Sequence, residues 1–437
     1  MSLFAIAKAY VWNRRWITLL TVISILLGMS LIAVVITIRS ETEAAFAQQG
    51  RAFDLVVGAK GSPLQIVLNT LYHVGIPTGN IQLTDYQTLC NEPNIAAAYP
   101  MNLGDNFRGF RIVGTTRDFL TQEAGSPTEK RSRRGRKTKT AAEPGRPMFE
   151  LAEGRLFEKD FEVVAGWLAA RQTGLTLDSA FVGAHGLAAA AAGGENVHHE
   201  FQYKIVGVLK PTGAAGDRAL FTTMESVWHV HEPHPEGEEA HKEQERKEEH
   251  KEDVEGREVT AVLVKLTSAM WRAQMLRKIN EEYNAMAAVP VEEIKGLYDR
   301  LLNPIQGALL ALGYVVVVVA ASSVLISLYF STVQRQRDLA LMRVLGARPW
   351  ELFVIICIEA FIVGVIGVAA GIVVGHGITA GVARHLLINY GLHIRAFVFS
   401  LAEGTAALIV LALGLVAALA PAALAYRTDV ARNLVGG

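Results

Sequence analysis

The sequence predicts a membrane protein with four transmembrane α-helices and a large α+β extracytoplasmic domain between the first and second spans. Of the 437 residues, 51% are hydrophobic and only 19% are charged, whereas about 25% of a soluble domain is charged. The apolar residues form four long runs, and the charges are crowded between the first run and the second. The 42 basic residues balance the 42 acidic ones, which excludes the basic excess that nucleic-acid binding requires.

The four apolar runs have the length of transmembrane helices. They cover residues 16–38, 309–331, 352–374 and 401–424, and each reaches the roughly 20 helical residues that cross a bilayer core. The first run exceeds the roughly 7–15 apolar residues of a signal peptide, so we expect a retained anchor. Residues 1–15 mix apolar side chains with Lys8, which is typical of a short cytoplasmic amphipathic segment at the membrane surface.

The arginines outside the spans predict the orientation. The informative ones lie in the short loop between the second and third spans and in the tail of residues 425–437, at Arg335, Arg337, Arg343, Arg348, Arg427 and Arg432. Short loops rich in Lys and Arg stay in the cytoplasm. Both termini are therefore expected in the cytoplasm, and residues 40–298 on the outer side of the membrane.

The outer segment combines regular patterns with two stretches that are too polar to fold. Residues 122–147 and 229–255 are mostly charged or small, so they are expected to be disordered inserts. Residues 53–57, 110–113, 203–209 and 259–266 have the pattern of strands. Residues 62–72 and 267–286 have the apolar spacing of helices, and Thr84 with Gln87 suggests a capping box. We expect an α+β domain in two lobes that share strands.

No catalytic motif is present in the sequence, so no enzymatic activity is predicted for this chain. The stretch from Gly58 to Ser62 resembles a phosphate-binding loop but has the wrong spacing. It is expected to be a tight turn between a strand and a helix, with its glycines at positive φ. H-E-x-x-H, G-x-S-x-G and C-x-x-C are also missing.

Histidine is concentrated in one part of the outer segment. Seven of the 12 histidines lie within about 50 residues, interleaved with glutamates: His198, His199, His229, His231, His234, His241 and His250. Imidazole and carboxylate groups suit zinc, nickel or copper, and His-rich tracts are typical of metal binding. The hypothesis is a weak, exchanging zinc-class site on this loop, and the alternative is a solvated charged loop with no selected ligand.

The cytoplasmic loop of residues 334–350 has the pattern of a short amphipathic helix. Arginines and an aspartate alternate with apolar residues, and Gly346 follows the run as a C-terminal cap does. Two interpretations are open, a helix on the membrane surface and a helix that inserts into a soluble partner. Inside the spans, Glu359 faces a dimer interface or a polar partner, or lies close enough to the end of its span to reach the membrane interface.

These features together resemble the MacB/FtsX-type ABC transporter permeases. Residues 334–347 read QRQRDLALMRVLGA and are similar to the family pattern R-x-x-E-I-x-x-L-R-A-x-G-A, with Asp338 in place of the usual Glu. Further similar elements are Glu153–Phe157, Val206–Leu209, Ala219–Thr222, Pro421–Ala422 and Ala425–Arg427. Val430 replaces the proline usual after the last of these.

The resemblance implies a permease subunit in the bacterial inner membrane, with its large domain in the periplasm. It implies a homodimer and a separate ATPase dimer that binds ATP and magnesium, while this chain itself holds no nucleotide. The ATPase-coupling residues implied are Arg335, Arg337, Asp338, Leu341, Met342, Arg343 and Gly346. Members of the family handle peptides, lipoproteins or macrolides, or activate cell-wall enzymes.

The histidine loop favours metal-linked export or homeostasis, with an extracytoplasmic adaptor or metal-binding protein as a further partner. The alternatives are a signal transmitter that activates a hydrolase on the outer side and a lipoprotein-releasing permease.

Overall fold

The computed structural model describes residues 2–123, 147–185, 201–231, 256–390 and 393–427. The chain divides into two compact units. The membrane unit comprises residues 1–42, 300–385 and 394–437, and the α+β unit comprises residues 43–299 with 386–393.

The described residues contain thirteen α-helices and thirteen strands. The helices are α1 (Leu3–Asn13), α2 (Arg15–Gly50), α3 (Pro63–Tyr72), α4 (Leu83–Cys90), α5 (Arg117–Thr121), α6 (Trp167–Thr173), α7 (Met224–His231), α8 (Arg272–Glu282), α9 (Pro290–Leu297), α10 (Asn303–Gln334), α11 (Gln336–Val344), α12 (Pro349–Tyr390) and α13 (Leu401–Tyr426). The strands are β1 (Leu55–Gly58), β2 (Ile81–Gln82), β3 (Ile95–Phe107), β4 (Phe110–Gly114), β5 (Leu151–Gly154), β6 (Glu162–Ala165), β7 (Ala180–Phe181), β8 (Ala184–His185), β9 (Tyr203–Leu209), β10 (Ala219–Thr222), β11 (Glu258–Val259), β12 (Ala261–Leu266) and β13 (Met286–Ala288).

Four helices in the described part of the chain are long and apolar enough to cross a membrane: α2, α10, α12 and α13. Each contains one of the apolar runs seen in the sequence, and the first three extend well beyond it. With 36 residues, α2 is about 54 Å long, which exceeds the roughly 30 Å of a bilayer core. Large apolar side chains such as Leu20, Val319 and Leu408 are more than half exposed on these helices, as expected for a surface in contact with lipid.

Small residues set the packing of the spans. A Cβ atom built on Gly367, Gly371 or Gly375 of α12 would lie only 2.7–2.8 Å from side-chain atoms of α2. The three glycines are four residues apart, so they form one stripe along α12. Small residues at this spacing let transmembrane helices approach closely, and α2 therefore packs directly on this stripe.

The α+β unit is built on one large sheet. Its 11 strands include the path β13-β1-β12-β3-β4-β10-β6-β9-β5, with β7 beside β9 and β8 beside β3. Strand β3 pairs with β12 through residues 95–101 and with β4 through residues 102–107. Two separate apolar cores lie on either side of this strand. One surrounds β1, β12 and α8, and the other surrounds β6, β9 and α6, so the predicted two-lobed α+β domain is confirmed.

Two of the family-like sequence elements pair with each other in the second lobe. In the ladder between β5 and β9, Gly154 stands opposite Gly207. A Cβ on Gly154 would lie 2.2 Å from the carbonyl oxygen of Val206, and one on Gly207 would lie 2.3 Å from that of Arg155. Since Gly154 also has a φ of +79°, only glycine fits this close approach of the two backbones.

Three local expectations differ from the structure. Neither Gly58 nor Gly61 is among the glycines with positive φ. A Cβ at these positions would instead lie 3.0 Å from Ile66 and 3.1 Å from Thr78, so close packing is what favours glycine there. The capping box predicted at Thr84 is also absent, because α4 begins at Leu83 and its N-cap residue makes no side-chain hydrogen bond.

The third difference concerns the polar inserts. Residues 229–231 belong to the last turn of α7 and are therefore not part of a disordered stretch, because Val227 and Val230 bury one face of this helix. At the first insert, Glu123 and Pro147 form an isolated β-bridge. Residues 124–146 and 232–255 lie outside the described part of the chain.

Candidate functional site: the loop helix and its anchor

The connection between α10 and α12 contains the helix predicted in the cytoplasmic loop. This helix, α11, ends in a Schellman motif. The amide of Ala347 donates a hydrogen bond to the carbonyl oxygen of Met342 at 3.0 Å. The amide of Gly346 donates one to the carbonyl oxygen of Arg343 at 3.2 Å. Gly346 has a φ of +99°, which glycine adopts without strain. The predicted C-terminal cap is thus present, and it fixes the point at which the chain turns toward α12.

The two faces of α11 differ in their contacts. Leu339 and Ala340 are buried, and Met342 packs against the apolar core of the membrane unit. The opposite face exposes Arg337 and Asp338. Three large apolar side chains are also exposed, namely Leu341 at 51%, Val344 at 60% and Leu345 at 86%. We call Leu341, Val344 and Leu345 the apolar face of α11.

A buried ion pair holds the start of α11. Nη2 of Arg335 lies 3.2 Å from Oε2 of Glu359 in α12, and the side chains of the two residues are 13% and 7% exposed. The guanidinium carbon of Arg335 also lies 4.0 Å from the ring centre of Tyr10 in α1, within the range of a cation–π contact. Of the alternatives open for Glu359, the structure provides a polar partner within the same chain.

This cluster connects three helices of the membrane unit. Arg335 donates through Nε to the carbonyl of Ser331 in α10, and Arg14 donates to the side-chain oxygen of Gln334. Burial raises the pKa of Tyr10 and lowers the pKa of Arg14. Breaking a buried ion pair is costly because the remaining charge is left uncompensated. The pair therefore holds the start of α11 in one orientation relative to α1 and α12.

A second polar cluster lies at the other end of α12. Oε1 of Glu403 accepts a hydrogen bond from Thr37 at 3.2 Å and lies 3.4 Å from Nε2 of His376. Ser400 and Glu403 form a true capping box at the start of α13. Glu403 and His376 are both buried and lie against each other.

Only two of the seven candidate metal ligands lie in the described part of the chain, His229 and His231 in α7. His229 Nδ1 is 3.8 Å from a carboxylate oxygen of Asp160, and His231 Nε2 is 3.5 Å from one of Asp105. His198, His199, His234, His241 and His250 lie outside the described residues. Within the described ranges, no group of three or more His, Cys, Asp or Glu side chains is arranged to hold a metal ion.

Comparison with known proteins finds a family similar to the C-terminal part of the chain. Among curated proteins none matches the sequence. The solved structure of the periplasmic region of MacB from Actinobacillus actinomycetemcomitans matches with a TM-score of 0.31 and 10% identity, over 57% of this chain and 95% of that one. Residues 310–430 match the family of FtsX-like permease C-terminal regions. This region, which contains α11 and three of the four spans, is similar to the C-terminal regions of FtsX-like permeases, and the match confirms the resemblance that the sequence shows to MacB/FtsX-type ABC transporter permeases.

Proposed function

We propose that this chain is the membrane subunit of an ABC transporter and that a separate ATPase docks on the apolar face of α11. The strongest support is that α11 combines an exposed apolar face with a buried ion pair at its start. Leu345 is 86% exposed, while Arg335 at the start of the same helix is fixed against Glu359 and Tyr10. A push on α11 would therefore pass into α1, α10 and α12.

The mode of action that we propose is mechanical. ATP and magnesium bind to the partner ATPase dimer, its closure displaces α11, and the spans transmit the motion to the α+β unit. A second copy of this chain completes the assembly in the bacterial inner membrane, with the α+β unit in the periplasm. The substrate involves a zinc-class metal in export or homeostasis, and an extracytoplasmic protein receives it. The histidine-rich composition supports this part of the proposal.

The docking surface differs from the set expected from the sequence. Arg335 lies in the buried ion pair, while Val344 and Leu345 add exposed apolar side chains. Met342 packs on the core of the membrane unit, so changing it would disturb that core as well as the contact. Leu341 and Leu345 are the cleaner probes because their side chains are mostly outside the core. Arg337 and Asp338 are exposed and are proposed to set the orientation of the partner through charge.

Copurification with the cognate ATPase tests the docking. The double variant Leu341→Asp/Leu345→Asp places two charges in the centre of the contact and should weaken it by about 2 kcal/mol or more, which is about 30-fold. The matched control is Ile76→Asp in the α+β unit, where an apolar side chain is 74% exposed. The control should retain the ATPase at the wild-type yield.

Capture of the ATPase by the double variant at the wild-type yield would refute docking on α11. If ATPase binding and hydrolysis are coupled but no substrate crosses the membrane of reconstituted vesicles, the chain would be a signal transmitter to an outer-side hydrolase. If lipoprotein leaves those vesicles, it would be a lipoprotein-releasing permease.

A further inference from the structure

A buried carboxylate in the α+β unit faces a histidine ring. Asp105 in β3 is 1% exposed, and its Oδ1 lies 3.5 Å from Nε2 of His231 in the last turn of α7. The other ring nitrogen, Nδ1, is 2.8 Å from the carbonyl oxygen of Val227. A carbonyl oxygen only accepts hydrogen bonds, so Nδ1 carries the proton and donates it. In the neutral ring, Nε2 therefore directs a lone pair toward the carboxylate.

The distance between these two atoms suits a shared metal ion. It is longer than the roughly 2.7–3.2 Å of a good N–H···O hydrogen bond. Zinc bonds of about 2.0–2.2 Å to nitrogen and oxygen place two ligands of a tetrahedral site about 3.4 Å apart, which is close to the observed 3.5 Å. A backbone carbonyl that holds the second ring nitrogen is also the usual partner of a zinc-binding histidine.

A tyrosine hydroxyl near Asp105 adds an independent observation. Tyr203 is 1% exposed, and among the described residues no hydrogen-bond partner is found for its Oη. Burial, together with the nearby negative charge of Asp105, raises its pKa, so the hydroxyl keeps its proton at neutral pH. It can donate a hydrogen bond to water or to a carboxylate oxygen beside a bound cation.

Access to solvent separates this pair from the His376–Glu403 pair of the membrane unit. His231 is 41% exposed at its side chain, so water can complete the coordination of an ion held there. His376 and Glu403 are only 8% and 0% exposed at theirs, which leaves no comparable access for water ligands. A zinc ion needs about four ligands, and the Asp105–His231 pair, unlike the His376–Glu403 pair, can recruit them from solvent.

We propose that Asp105 and His231 bind a zinc-class divalent cation through Oδ1 and Nε2, with water at the remaining positions. The biological meaning of this cation site rests on the proposed function. The site gives the proposed metal link a defined position in the second lobe. Two protein ligands give a weak, exchanging site of micromolar affinity. The site depends on Asp105, a residue that histidine-rich composition does not point to.

Zinc titration of the full-length chain in detergent tests the site by calorimetry after metal has been removed with a chelator. Asp105→Asn keeps the shape of the side chain but removes its charge. This variant and His231→Gln should each weaken the tightest zinc site at least tenfold. The matched control is His229→Gln, two residues away on the same helix, which should change that affinity less than twofold. A variant with His234, His241 and His250 changed to Gln should retain the site.

Unchanged zinc affinity in Asp105→Asn, or an equal loss in His229→Gln, would overturn the proposal. Loss of the tightest site in the His234, His241 and His250 variant would also overturn it, because the ligands would then lie elsewhere. If the metal-free Asp105 and His231 variants melt below the wild type, the cobalt spectrum of the variant lacking His234, His241 and His250 decides. A spectrum that differs from that of the hexaaqua ion supports the site, and one identical to it refutes it. The ATPase-capture experiment is independent of all these outcomes.

Discussion

Two of the histidine–carboxylate pairs among the described residues, one in the α+β unit and one in the membrane unit, have nearly the same geometry but different surroundings. His231 Nε2 lies 3.5 Å from Asp105, and His376 Nε2 lies 3.4 Å from Glu403. In both rings, Nδ1 is held by a backbone carbonyl, at 2.8 Å and 2.6 Å respectively. The first ring is reached by solvent and the second is enclosed by Phe397 and Phe399.

This difference determines whether a metal ion with its water ligands can reach the carboxylate. A metal ion brings water ligands and needs an open side, which the pair in the α+β unit has. The enclosed pair of His376 and Glu403 has no such open side. The Arg335–Glu359 pair is a third case, in which the protein itself supplies a permanent cation.

The largest effect is expected at the pair with the permanent cation. Glu359→Leu leaves Arg335 buried without its partner, which costs about 3–5 kcal/mol. We expect a lower melting temperature in detergent, measured by intrinsic fluorescence, and weaker capture of the ATPase because α11 loses its anchor. Adding Arg335→Met should restore most of the stability, since replacing a buried ion pair by apolar side chains often leaves the free energy of unfolding unchanged. The reverse result, a double variant less stable than Glu359→Leu, would contradict this account of the anchor.

An intermediate effect on stability is expected at the enclosed pair of His376 and Glu403. Glu403 accepts hydrogen bonds from Thr37 and from the amide of Ser400, and Glu403→Gln replaces one acceptor oxygen by a donor. Loss of hydrogen bonds to a charged group costs about 1.5–3 kcal/mol. The melting temperature should fall, while capture of the ATPase should stay at the wild-type level because this cluster is not joined to α11. Loss of capture would mean that the two polar clusters act as one.

Regular patterns were readable from the sequence, whereas contacts between distant segments were not. Strand β9 begins and ends at Tyr203 and Leu209 as predicted, because its side chains alternate between buried and partly exposed positions. The cap at Gly346 was also predicted, since it depends on local backbone geometry. The packing of Arg335 on Tyr10 and Glu359 depends on the folding of three helices together, and no local pattern encodes it.

Asp105 shows a different limit. Aspartate is rare in strands, so an acidic residue between Gly104 and Asn106 suggests a turn, yet all three belong to β3. His231 was noticed only because of the histidines around it, and its place at the end of a helix was not foreseen. The true capping box at Ser400 has the same S/T-x-x-E/Q spacing as the false one at Thr84. Spacing alone does not separate them, because the helix start depends on the packing around it.

The smallest effect on stability is expected at a carboxylate paired with an arginine that is exposed to solvent. Glu162 in the second lobe accepts hydrogen bonds from Arg155 and from the amides of Glu158 and Lys159. These interactions, chiefly the bond from Arg155, lower the pKa of Glu162 to about 2. Because the pKa is lower in the folded state than in the unfolded chain, the carboxylate stabilises the fold fully above about pH 4.5. That stabilisation is lost as the pH falls toward 2.

Glu162→Gln should therefore lower the stability at neutral pH by about 1–2 kcal/mol, since Arg155 is half exposed and water weakens the pair. The difference from the wild type should shrink progressively below pH 4.5, because protonation removes the same charge from the wild type. Melting curves of the two full-length proteins between pH 7 and pH 3 measure it. Glu258→Gln, which removes an exposed carboxylate that accepts hydrogen bonds from the side-chain amides of Asn80 and Gln82, is the control and should lack this convergence. A gap between Glu162→Gln and the wild type that stays constant over the whole range would show that shape, and not charge, gives Glu162 its role.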